Sequence, residues 1–80
     1  MTRDTLKKII QDLFGTPVED LTDTTTLSEL GTDSLLFLEF ILMCEDEFDL
    51  DLGSYEDQIT GPSTLAEIEN YIESEKAKRS

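Results

Sequence analysis

Eighty residues, 38% of them apolar, make one small domain with a modest core. Nineteen acidic side chains against six basic ones give a net charge of −13, a field that repels nucleic-acid phosphates and anionic membranes and attracts basic protein patches. Histidine is absent and there is one cysteine, which removes the usual general base, the commonest nitrogen metal ligand and any internal disulfide.

The first helix is expected from Asp4 to Phe14. Leu6, Ile9, Ile10, Leu13 and Phe14 repeat at the spacing of one buried stripe, Thr2 or Asp4 is placed to cap the start, and Gly15 and Pro17 end it. Residues 15–33 form a long connection rich in Thr, Asp and Gly, with Leu21, Leu27 and Leu30 as its anchors and Gly31 as a position for a backbone angle other residues resist. The second helix is expected over Ser34–Phe48. Its apolar residues fill nearly every face, so it belongs at the centre of the domain or touches something else as well, and Glu39 marks one exposed line. Asp49 to Ser54 is a loop, with Gly53 as a breaker, and Tyr55–Ile59 a short third helix. After the Gly61-Pro62 break, Thr64 and Glu67 form a capping-box pattern ahead of Leu65, Ile68, Tyr71 and Ile72, so a last helix runs from Leu65 to Glu75. The tail Lys76-Ala77-Lys78-Arg79 puts positive charge near its C-terminus, where the helix dipole favours it. The fold class is therefore all-α: a small four-helix bundle with a long first loop and a short third helix, in a single domain over residues 1–80. The longest nearly apolar stretch, Leu35 to Cys44, is too short to span a membrane and contains Glu39, and no signal peptide is expected at the charged start.

Little here suits catalysis. Ser34 has no histidine to activate it, and Cys44 lies in an apolar helix as a small core residue. Asp49-Leu50-Asp51-Leu52-Gly53 has some of the oxygen ligands of a calcium loop but lacks the third ligand position, and Thr60 stands where the closing glutamate belongs. No metal site is expected, and the chain is not expected to be an enzyme. Asp33-Ser34 ahead of an apolar run reads first as a helix cap.

Capping alone leaves the wider pattern unexplained. Leu30-Gly31-Thr32-Asp33-Ser34-Leu35, then Glu39, then Glu45-Asp46-Glu47-Phe48-Asp49, resembles an acyl carrier protein, and the likeness extends over the whole chain to Asn70-Tyr71-Ile72. The resemblance implies that Ser34, within the Asp33-Ser34-Leu35 motif, carries a covalent 4′-phosphopantetheine arm taken from coenzyme A by a separate phosphopantetheinyl transferase. The arm's thiol would hold acyl intermediates as thioesters for fatty-acid, lipid or polyketide enzymes, and a phosphodiester would sit well at a helix N-terminus. Glu39, Glu45, Asp46 and Glu47 would meet basic docking patches on those enzymes, and an exposed Leu36–Phe37 pair, usually polar in the fatty-acid members, would add an apolar contact for a specialised partner. Leu35, Leu38, Ile41, Leu42, Ile59, Ile68 and Ile72 would line a cavity for the acyl chain. A cytoplasmic monomer is expected. Thr60-Gly61-Pro62-Ser63 makes the connection before the last helix about three residues longer than the family pattern, which leaves the cavity mouth open to change. Two other readings stay open: a freestanding aminoacyl or peptidyl carrier, and an acidic helical adaptor with no prosthetic group.

Overall fold

Three helices carry the chain, and a single helical turn separates the last two: α1 (Thr2–Phe14), α2 (Ser34–Phe48), the turn α3 (Tyr55–Gln58) and α4 (Leu65–Arg79). The computed structural model describes residues 2–53 and 55–79, without the side chains of 56, 57 and 79. Met1, Ser54 (the expected end of the loop after α2), Ser80 and the Arg79 side chain expected to offset the α4 dipole lie outside the described residues. The described residues are helical or irregular, apart from one isolated antiparallel bridge between Thr26 and Thr64.

α1 buries Leu6, Ile9 and Ile10 against α2 and α4, with Leu13 and Phe14 packed at the rim. It ends where Gly15 turns to φ +77°, a conformation glycine adopts without a Cβ penalty. The helix starts earlier than Asp4 because Thr2 is itself buried. Its hydroxyl donates to Glu73 and accepts from Lys76 Nζ, and that ammonium also lies 5.3 Å from the Phe48 ring centre. Arg3 adds a second tie, pairing with Asp23 of the first loop and with Glu69 of α4 at 2.6 Å.

The long first loop is held by its three leucines, as expected: Leu21 and Leu27 are buried and Leu30 packs on the core. It also completes α4. The first N–H groups of a helix have no partner within it. Here the Thr25 carbonyl accepts from Leu65 N at 2.9 Å and the Asp23 carbonyl from Ala66 N at 3.2 Å. The capping box is present in both directions, Glu67 Oε1 accepting from Thr64 N and Thr64 Oγ1 from Glu67 N. α4 continues past Glu75 to Arg79 because Lys-Ala-Lys-Arg are good helix formers and Lys78 pairs with Glu75 one turn back.

α2 has its expected bounds. It buries Phe40, Ile41 and Cys44, and Phe40 meets Phe14 with ring centres 6.3 Å apart. Asp49 closes it at φ +53°, and Leu50 N donates to the Glu45 carbonyl. Burial, helped by the nearby Glu45 charge, pushes the Cys44 thiol up from 9.0 to about 12. The folded state thus holds the thiol proton where the unfolded chain loses it, so Cys44's contribution to stability falls as pH rises above about 9. Native protein at pH 8 should consequently resist iodoacetamide and react only when unfolded. Labelling at equal rates in buffer and in denaturant would contradict the burial.

Candidate functional site

The approach to α2 leaves the Ser34 hydroxyl exposed at the helix start. Ser28–Leu30 forms a turn of 3-10 helix that Gly31 ends in the left-handed region, at φ +79°. Thr32 Oγ1 then donates to the Leu27 carbonyl at 2.6 Å, and Asp33 is extended. The Asp33 carboxylate accepts from Leu36 N at 2.8 Å and so caps the helix. Ser34, the first helical residue, is exposed, and its hydroxyl makes no hydrogen bond among the described residues. Beside it lies a cleft of about 210 Å³ lined by Ser28, Thr32, Asp33, Ser34, Phe37 and Gly61. Thr32 falls within the motif around Ser34, whereas Ser28 and Gly61 come to the cleft from outside it, Gly61 from the connection before α4.

Beyond Ser34, α2 shows an apolar ridge. Leu35, Leu38 and Leu42 are 65%, 45% and 53% exposed. At about 100° per residue they fall within about 60° of one another on the helix, and Asp46 and Glu39 flank their far edge. This corrects three of the expected cavity residues: those three leucines face solvent, while Ile41, Ile59, Ile68 and Ile72 lie in the core, as expected of them. The exposure of the Leu36–Phe37 pair, open from the sequence, is partial. Leu36 and Phe37 are half-buried, and the Phe37 ring packs edge-on against Tyr55 at 5.7 Å. A helix apolar on nearly every side leaves one face uncovered, and packing left the Leu35–Leu38–Leu42 face to solvent.

The acidic residues divide in the same way. Asp46 is exposed beside the ridge and Glu39 is half-buried. Glu45 is half-buried, and its Oε2 accepts from Leu52 N at 2.8 Å, so this carboxylate pins the loop after α2. Glu47 is exposed but lines a groove toward α1 with Thr5, Lys8, Ile9, Asp12 and Met43. No group of three or more metal-ligating side chains occurs among the described residues, and no helix is long and apolar enough to cross a membrane.

The family model for the phosphopantetheine attachment site matches residues 4–72. This chain belongs to that carrier family. Over 71 residues it is 34% identical to the acyl carrier protein of Lactococcus lactis subsp. cremoris (strain MG1363), covering 89% of this chain and 92% of that relative. It is also 35% identical over 65 residues to the bikaverin polyketide synthase bik1 of Gibberella fujikuroi, and 47% identical over 45 residues to the non-reducing polyketide synthase pgmA of Aspergillus terreus. These matches take in 81% and 56% of this chain but only 3% and 2% of the two synthases. The acyl carrier family binds 4′-phosphopantetheine covalently, and its model is of a carrier domain rather than a catalytic one. The start of α2 fits such a group: an exposed hydroxyl, helix-terminal amides suited to a phosphodiester, and an adjoining cleft.

Proposed function

We propose that Ser34 Oγ is the attachment point and that residues 1–80 form a single carrier domain for acyl groups in fatty-acid, lipid or polyketide synthesis. The exposed Ser34 hydroxyl at the capped start of α2 is the observation that carries the reading. Bound there, the arm supplies a thiol that holds acyl groups as thioesters. The protein's own part is presentation: the Asp33 cap fixes the helix start, and Gly31 and Thr32 fix the turn before it. The chain lacks histidine, and Asp33 Oδ1 is engaged with Leu36 N, so we assign removal of the Ser34 proton to the transferase. Loading breaks the pyrophosphate of coenzyme A, forms the Oγ–P bond and releases adenosine 3′,5′-bisphosphate.

We read the architecture as the carrier-type four-helix bundle, with the turn at Tyr55–Gln58 as its short third helix. The phosphopantetheinyl transferase and acyl-processing enzymes would dock on Leu35, Leu38 and Leu42, with Glu39 and Asp46 opposite Lys or Arg on the partner. Such a surface gives fast, weak, salt-sensitive encounters, which suit a carrier that must leave each enzyme. Sheltering an acyl chain would require Ile41, Ile59, Ile68 and Ile72 to part, since they are packed together here. A reducing, cytoplasmic setting and a monomeric state complete the reading. Intact mass, measured before and after incubation with coenzyme A and a promiscuous transferase, tests it. One phosphopantetheine should be gained by the parent and none by Ser34→Ala. No gain on folded protein would leave an acidic adaptor as the account.

A further inference from the structure

Resting on the assignment of the arm to Ser34, we propose that the cleft beside that residue seats the arm's first segment, the phosphate and the dimethyl-bearing carbons next to it, when no partner holds the arm. Ser34 is itself one wall of the cleft, so any group on its Oγ begins at the mouth. Tethering supplies a high effective concentration, and even weak intrinsic contacts then fill the site. At about 210 Å³ the cleft admits this segment and leaves the distal thiol outside, where partners need it.

The lining offers that segment an apolar wall and hydroxyls, while the Asp33 carboxylate, held by Leu36 N, keeps the phosphate at the mouth. The Phe37 ring offers an apolar surface to the paired methyls. Thr32 Oγ1 has spent its proton on the Leu27 carbonyl, so this lining residue can offer the arm's secondary hydroxyl an acceptor. Ser28 adds a rotatable hydroxyl. The far wall is fixed by the backbone: Ser28 N donates to the Gly61 carbonyl at 2.9 Å, and Thr60 N donates to Ser63 Oγ at 2.9 Å to hold the turn. Gly61 permits this approach, since a Cβ there would stand 2.7 Å from Ser28 Oγ. The lengthened 60–63 connection thus acquires a role as the wall of an arm-docking cleft.

Proton NMR of the fully loaded protein tests the proposal. The two methyls beside the phosphate should shift upfield, separate, and show NOEs to the Phe37 ring. In Gly61→Ala, the displaced Ser28 hydroxyl should narrow the cleft, weakening shift and NOEs while loading by mass stays complete. Methyls at their free-phosphopantetheine positions on loaded protein, or NOEs unchanged in Gly61→Ala, would overturn the cleft and leave the Ser34 assignment standing. Failure to load at all would instead overturn that assignment, and the cleft with it.

Discussion

Phe40→Ala should bring the domain to the edge of unfolding. Phe40 is fully buried at the centre of α2, packs against Phe14 of α1, and belongs to the hydrophobic cluster that joins the helices. Truncating a buried phenylalanine costs about 3–5 kcal/mol, because the transfer term and the residual cavity add. A domain of this length has only about 4–12 kcal/mol in hand, at roughly 0.05–0.15 kcal/mol per residue. Each kcal/mol moves the melting temperature of so small a domain by about 4–8 °C, so a fall of at least about 12 °C is expected by circular dichroism. Salt should recover part of it, since the net charge of −13 opposes compaction and added ions screen that repulsion. A fall of less than about 4 °C would mean that Phe40 does not anchor the core.

The ridge should behave in the opposite way. Leu35, Leu38 and Leu42 are exposed, so changing all three to serine should cost only about 0.5 kcal/mol per site, about 1.5 kcal/mol together and well below the cost of Phe40→Ala. If they form the apolar centre of the docking face, each contributes about 1–2 kcal/mol to the encounter. The triple variant should therefore lose about 100-fold or more in kcat/KM with the transferase, at about tenfold per 1.4 kcal/mol. Asp46→Lys should instead slow association and flatten its salt dependence, because a rim charge steers more than it holds. Undiminished loading of the triple variant would place the docking face elsewhere.

The contrast between these residues shows what the sequence could and could not convey. The bounds of α2 were legible because Asp33 caps it and Asp49 closes it, both local events. The buried face of α2 was not, because a helix apolar on nearly every side has no periodicity to choose between Leu38 and Phe37. Packing against α1 and Tyr55 made the choice. The role of Glu45 depends on where Leu52 N–H arrives after a turn, and the Arg3–Glu69 pair joins residues far apart in the chain. The position of Ser34 was legible for the same local reason as its helix, while the cleft beside it needs Ser28 and Gly61 brought together from two separate connections.

On the proposed reading, the Ser34 hydroxyl carries an arm bearing acyl cargo. The most direct measurement is fragmentation mass spectrometry of the acyl-loaded protein, with and without hydroxylamine. The arm should map to Ser34 itself, and hydroxylamine should release the acyl group while leaving the phosphopantetheine in place. An arm on any of the other hydroxyls, or an acyl group that hydroxylamine cannot remove, would contradict the account.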